Sequence, residues 1–355
     1  MLPTLYTAWM ADLLEGEIPR EQTAACERCV MCRPADSPDG VGGSCHFSRE
    51  TKCCTYLPEL VSFGVGHILT RDDETLAEGR RTVVARITAR HGVTPLGLKR
   101  PRPRQLIDTH GHNLFGRETS LRCPHLLADG HCGIWRYGAP MCSTWYCKFD
   151  RGAVGFRFWA ALRRLLCTME ERLSWWCLLR LGMEPAVLTA LEHDARRAAT
   201  PSCLQRGDLD AAGDAAAHAQ LWGSWNGREE ELYRRCAALV DGLSWREAAS
   251  ICGVEAEVLG RAVREAHTAL MSRAVPERVR LGRFQITAAD DRGFLVVGYS
   301  PFDPIRLPKT LMGLLHHFDG RPTAQILDHI DRAGGPRLGL EVVQRLVDVG
   351  VLAEA

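Results

Sequence analysis

The 355-residue chain is 46% hydrophobic and 25% charged with a net charge of +1, a globular composition that excludes a disordered chain, an acidic coat and a strongly basic nucleic-acid-binding surface. Its length predicts two or three domains, each able to bury a core. Only Lys52, Lys99, Lys148 and Lys309 among the 44 basic residues are lysine, and this skew names no partner.

The opening MLPTLYTAWMADLLEGEIPR carries acids inside its apolar part and lacks a basic run ahead of an apolar one, so it does not read as a secretory signal. No window approaches the roughly eighteen apolar residues that a membrane span requires. The chain therefore reads as cytoplasmic, with no membrane partner. In a reducing compartment its 15 cysteines are poorly explained as disulfides and better explained as metal ligands.

Ten of those cysteines precede residue 150. Cys26-x2-Cys29-x2-Cys32 comes first, followed by Cys45 and the adjacent pair Cys53-Cys54. Two-residue gaps let thiolates converge on one centre while the intervening amides turn toward sulfur, a device shared by zinc and iron–sulfur sites. A helical stretch is predicted near Thr75 to His91. The next stretch, LGLKRPRPRQLIDTHGHNLFGRE, has prolines and glycines that argue for an ordered loop. Within it Asp108, His110 and His112 can place three ligands on one face of a strand, although the glycine favours a plain polar loop. The second cysteine set is Cys123, Cys132, Cys142 and Cys147. Triple Cys-x2-Cys-x2-Cys spacing and Cys123-Pro124 favour an iron–sulfur cluster, 4Fe-4S in type, with zinc as the alternative. His46, His125 and His131 flank Cys45, Cys123 and Cys132, and each can either replace a thiolate or stand behind one.

From Gly155 to about Met183 the residues Phe156, Trp159, Leu162, Leu166, Met169, Leu173 and Trp176 recur at helical steps. Cys167 and Cys177 in this helix, like Cys203, Cys236 and Cys252 beyond it, read as small core hydrophobes. An alanine-rich helical region follows from Pro185 to about Gln220. A compact helical unit then has Ser244 as N-cap with Glu247 as its capping-box partner. The spacing of Ala248, Ala249, Gly253, Val254 and Val258 is like a helix-turn-helix. Its second helix balances Glu255, Glu257 and Glu265 against Arg261 and Arg264, which argues against DNA as a partner. After Pro276, FQITAA and GFLVVGYS are predicted strands joined by an Asp290-Asp291-Arg292-Gly293 hairpin. Short helices are predicted at Pro308 to Phe318, Thr323 to Asp331 and Leu340 to Val349.

The expected fold is mainly α with small α+β parts. It comprises a loop-rich, metal-stapled domain over 1–152, a helical region over 153–275 and a small winged-helix-like domain over 276–355.

CPHLLADGHCGIWRYGAPMCSTWYC resembles the second half of the YkgJ-type cysteine-cluster family of zinc- or iron-chelating proteins, whose pattern runs approximately C-P-x-L, C-x-I-Y, R-P-x-x-C and a final cysteine. CERCVMC resembles that family's opening C-x-x-C-x-x-C-C. The chain departs from the pattern at Arg33, which replaces the doubled cysteine, at the later Cys53-Cys54, and at Ala139, where arginine is usual before Pro140. The resemblance spans roughly residues 26 to 149. The family includes flagellin lysine N-methylases, so the resemblance implies a protein-modifying role. FDGRPTAQILDHI and VVQRLVDVGVL resemble PqqD-type winged-helix modules, which implies a protein or peptide substrate held by the C-terminal domain.

Three functions stay open: a metal-centred enzyme or electron carrier acting on a protein or peptide, a zinc-structured adaptor without catalysis, and a regulator that senses oxidant or iron. Phosphate-binding glycine loops, G-x-S-x-G and H-E-x-x-H are all absent from the sequence, so the common nucleotide and hydrolase signatures assign no activity.

Overall fold

A computed structural model describes residues 2–23, 26, 29–32, 47–90, 92–101, 104–105, 114–198 and 215–355, leaving aside the side chains of 193–198. The predicted Asp108, His110 and His112, together with Cys45, His46 and Cys203, lie outside the described residues. In chain order the elements are α1 (Thr4–Leu14), β1 (Leu60–Val61), α2 (Ser62–Thr70), α3 (Ala77–Thr88), β2 (Val93–Thr94), β3 (Gly97–Leu98), α4 (Pro140–Thr144), α5 (Gly152–Arg180), α6 (Pro185–Ala198), α7 (Ala215–Trp222), α8 (Glu229–Val240), α9 (Trp245–Cys252) and α10 (Val254–Met271). The C-terminal part adds β4 (Arg278–Leu281), β5 (Gln285–Asp290), β6 (Gly293–Val297), β7 (Ile305–Leu307), α11 (Lys309–Leu314), β8 (Asp319–Pro322), α12 (Thr323–Arg332), α13 (Leu340–Asp348) and β9 (Leu352–Glu354). The chain is mainly helical with small three-stranded antiparallel sheets. None of the helices among the described residues is long and apolar enough to cross a membrane.

Contacts divide the chain into two compact units, each assembled from separated stretches. The first comprises Met1–Ile18, Phe47–Thr144 and Arg163–Val258, and the second Pro19–His46, Trp145–Leu162 and Leu259–Ala355.

The first unit is a helical core. On α5, Leu165, Leu166, Met169, Leu173 and Cys177 are fully buried, which is the stripe that a 3.6-residue period generates. That stripe is rotated slightly from the predicted one, because Trp176 is only half-buried and Cys177 takes the inward position. Cys236 and Cys252 are buried as expected, whereas Cys167 is exposed and is not a core residue. Helices α2 and α8 pack at close quarters: a Cβ on Gly66 would stand 1.9 Å from the Tyr233 carbonyl oxygen. On α1, Tyr6, Trp9, Met10 and Leu13 face inward, and Trp9 Nε1 donates to the Leu243 carbonyl at 2.8 Å. Ser244 and Glu247 form the capping box that starts α9.

In the second unit the sheets run β8-β4-β9 and β5-β6-β7. The β5–β6 hairpin forms as its turn residues require, pairing Asp290 with Gly293. Val279, Val296, Phe318, Ile326, Ile330, Val343 and Val351 form the core of this unit. Asp319-Gly320, expected only as a helix break, opens β8. Arg151 and Asp348 form a buried ion pair at 2.6 Å, and Arg151 Nη1 also donates to the Leu270 carbonyl. Extra donors and acceptors of this kind are what make a buried pair tolerable.

Glu170 on α5 is buried in the first unit and accepts a hydrogen bond from the Tyr6 hydroxyl. Burial raises its carboxyl to about 8, against an ordinary 4.5. The folded protein therefore keeps Glu170 protonated across a range in which the unfolded chain has released the proton, so its contribution to stability falls as pH rises from about 4.5 to about 8 and is level outside that range. Glu170→Gln removes the titration. Melting temperatures measured from pH 5 to 9 are expected to show the wild-type protein losing stability relative to this variant as pH rises.

Candidate metal centre

Backbone and side-chain hydrogen bonds position the cysteine loops. In the first unit, residues 48–56 form successive turns, with Cys54 N–H donating to the Thr51 carbonyl at 2.8 Å. Gly116 fastens these turns: its N–H donates to Thr55 Oγ1 and its carbonyl accepts from Ser48 N–H. The second cysteine stretch joins directly, through a 2.7 Å bond from Cys123 N–H to the Cys54 carbonyl. Beyond it the chain doubles back, with Leu126 bridged to Cys132 and Gly133 N–H donating to the His125 carbonyl. Arg122 donates to the carbonyls of Leu126 and Leu127. Cys142 sits in the short helix α4, its N–H bonded to the Ala139 carbonyl at 3.0 Å.

These bonds gather Cys53, Cys54, Cys123, Cys132 and Cys142. Burial raises the Cys123 thiol to about 11, and Cys54 adds to that rise. Burial also holds Cys142 well above the ordinary thiol range, with Cys123, Cys132 and Cys54 pushing the same way. Cys54 is the opposite case: a hydrogen bond with Cys53 and the charges of Lys52 and Arg122 outweigh burial and hold it low. Lys52, Arg86, Arg104 and Arg122 thus all act on this set as cations, an arrangement that favours thiolate over thiol.

The second unit contains the other cysteines. Cys26 is exposed, Cys29 and Cys32 are half-buried, and Cys147 is buried. Cys32 N–H closes a turn on the Cys29 carbonyl at 3.1 Å. The approach to this turn is tied down by Asp150, whose carboxylate accepts from the N–H groups of Gln22 and Thr23 at 2.9 Å each. Glu21 in turn accepts from Asp150 N–H and from Trp159 Nε1. Burial lifts the Cys147 thiol to about 11, and Cys29 is the next contributor. Burial likewise raises the neighbouring Tyr146, with Glu21 and then Cys26 adding to it. Cys147, placed by sequence order with Cys123, Cys132 and Cys142, is therefore an electrostatic neighbour of Cys29.

Among the described residues, no three Cys, His, Asp or Glu side chains are arranged as a metal ion requires. The thiols stand as neighbours and not as a closed coordination shell. His131 is exposed beside Asp129. His125, in contrast, is fully buried. Its Nδ1 lies 2.6 Å from Thr82 Oγ1, and that hydroxyl donates its one proton to the Gly79 carbonyl. Nδ1 must therefore be the donor, which assigns the tautomer with a bare Nε2. That Nε2 is buried without a hydrogen-bond partner. Burial and the charge of Arg86 hold the imidazole at about 3, so the ring is neutral.

Arg86 joins this site although no sequence motif includes it. It is buried, its Nη2 donates to the Lys99 carbonyl at 3.0 Å, and its Nη1 has no partner. Its spacing carried the signal: Arg86 lies three residues after Val83 and seven after Gly79, on the inward stripe of α3. The same stripe carries Gly79 against the cysteine loop, and a Cβ there would stand 1.9 Å from the Gly133 carbonyl oxygen.

Comparison of the chain with family models, curated proteins and solved structures finds no match.

Gly79→Ala forces α3 away from the Cys132-Gly133 turn. A cost of about 1–3 kcal/mol is expected, the range for an overpacked contact. The shift of the urea unfolding midpoint at unchanged slope measures it.

Proposed function

We propose that the chain is a cysteine-ligated metal protein, iron–sulfur in preference to zinc, acting on a protein or peptide or in electron transfer. The observation that carries this reading is the gathering of Cys54, Cys123, Cys132 and Cys142 in one unit, where Lys52, Arg86, Arg104 and Arg122 act on the thiols as cations. A guanidinium as buried as Arg86 with an unbonded Nη1 is costly unless a negative charge stands nearby. Four thiolates around an iron–sulfur or zinc core supply such a charge. The donor set matches the group in chemical type.

Cys54, Cys123, Cys132 and Cys142 would hold the metal, with Cys53 and the bare Nε2 of His125 as further donors within the same loops. An iron–sulfur cluster would supply one-electron transfer, whereas zinc would brace the loops or polarise an oxygen. The chain's own residues set the surroundings. The His125 backbone N–H donates to the Cys123 sulfur, Thr82 orients the His125 ring, and Arg86, Arg104, Arg122 and Lys52 lower the cost of anionic sulfur.

The preference for iron rests on the Cys-x2-Cys-x2-Cys spacing and on Cys123-Pro124. A peptide partner at the C-terminal, winged-helix-like part is supported by β5. This strand is exposed along its whole length and lies at the edge of its sheet, leaving one row of backbone groups open to an added strand.

Protein purified without oxygen is expected to be coloured and to contain iron and acid-labile sulfide. A colourless protein with stoichiometric zinc and no sulfide would overturn the preference for iron, and a protein without bound metal would overturn the whole reading. Arg86→Gln is expected to weaken metal retention about 10- to 100-fold, the range for groups that support ligands. Competition with a chelator measures this, with circular dichroism confirming that the helices persist.

A further inference from the structure

We propose that β5 is the surface on which two copies of this chain join. Their β5 strands run antiparallel about a two-fold axis at Thr287, so that Arg283 of each copy stands opposite the partner's Asp291. Self-pairing uses the same open edge as the peptide reading and needs no metal.

The edge itself invites a strand. In the order β5-β6-β7, β5 pairs with β6 on one side and with no strand on the other, and all six of its residues are exposed. Edge strands are ordinarily guarded against other chains by lysine, proline or an inward-pointing charge. Gln285–Asp290 has neither lysine nor proline, and its one charge, Asp290, is engaged by Arg306 at 2.6 Å. Ile286 adds an apolar reason to cover the edge. It stands opposite Val296, which is fully buried, and opposed residues of an antiparallel pair share a face. Ile286 therefore lies on the core side of the sheet, yet it is 54% exposed because no strand flanks it.

Charge identifies the strand that fits. Arg283 lies just before β5 and Asp291 just after it, both exposed, and neither has an ion-pair partner among the described residues. A strand with an unmatched cation at one end and an unmatched anion at the other complements an antiparallel copy of itself. The register follows from symmetry. A two-fold axis normal to the sheet sets one residue opposite its own copy, so the possible registers differ by steps of two. With the axis at Ile286, Arg283 would face the partner's Ala289, and with the axis at Ala288 it would face the partner's Gly293. The axis at Thr287 matches the charges at both ends.

That register also places Ile286 opposite the partner's Ala288 and sets the two β-branched Thr287 side chains against each other, a favourable cross-strand pair. The bulge of β5 falls between Ile286 and Ala288, on the axis, so both strands bend about the same point. A peptide of unrelated sequence offers no such match at both ends and must displace the copy to reach β5.

Sedimentation velocity of the full chain over a concentration series provides the test, with a phosphine reductant present so that exposed Cys26 and Cys167 cannot join chains. A reversible monomer–dimer equilibrium that weakens with added salt is expected. Arg283→Asp and Asp291→Arg are each expected to weaken the dimer about 10-fold, because each reverses two cross-strand pairs at once. The double reversal is expected to restore it. Circular dichroism confirms that the variants fold. A chain that stays monomeric at every concentration, or a dimer indifferent to both single reversals, would overturn the proposal.

Hydrogen exchange supplies a second measurement on the unsubstituted chain. The amides of β5 are expected to exchange fast in dilute monomer and to slow as the dimer forms. Slow exchange of β5 in the monomer would mean that another segment of this chain covers the edge, and dimerisation that protects only other elements would place the interface elsewhere. Either result overturns self-pairing through β5 and leaves the metal reading untouched.

Discussion

A backbone hydrogen bond, from Cys123 N–H to the Cys54 carbonyl at 2.7 Å, joins two cysteine stretches that share no regular element, and Lys52 Nζ adds a second link to the Gly130 carbonyl. Both stretches are short and made of turns, so hydrogen bonds add to the burial of Leu57, Leu126 and Ile134. Closing a long loop costs only slightly more entropy than closing a short one, so the distance in sequence between the two cysteines is no obstacle once the intervening helices pack. Helices α2 and α3 do pack, α2 against α8 at the Gly66 contact and α3 against the Cys132 turn at Gly79. The loops are thus placed by helices that contain none of their cysteines.

The electrostatics of the two sides of this unit are complementary. Beneath the cysteine loops, Arg86 is buried as a cation with an open N–H, and Arg104, Arg122 and Lys52 act on the same sulfurs. On α5, Glu170 is buried as an acid whose desolvation keeps it protonated through neutral pH, against the opposing pull of the hydrogen bond it accepts from Tyr6. A neutral acid is far cheaper to bury than a carboxylate, and a protonated Glu170 adds no negative charge near the thiols. Cys142 feels Glu170 as well as the other cysteines, so ionising that acid would work against a thiolate there.

Much of the local structure was legible in the residues. The α5 stripe, the Ser244–Glu247 box and the β5–β6 hairpin each depend on residues within a few positions of one another, and periodicity and turn chemistry report such contacts directly. Cys167 was misread because a cysteine near an apolar stripe is assumed to lie on it, whereas its actual position on the helix turns it outward. Arg86 was passed over for a related reason. An arginine inside a helix is normally solvated, and only the packing of α3 against the loop shows that this one is not.

The sequence by itself determined that ten cysteines crowd into the first 150 residues, where the helices run and where the hairpin turns, because these follow from composition and short-range spacing. Which cysteines are neighbours was decided only by tertiary structure. Hydrogen bonds between residues more than a hundred positions apart, Asp150 to Gln22 and Thr23, tie the chain after Cys147 to the chain before Cys26. Spacing along a chain records only how far apart two thiols can be, and the folded backbone sets how close they are.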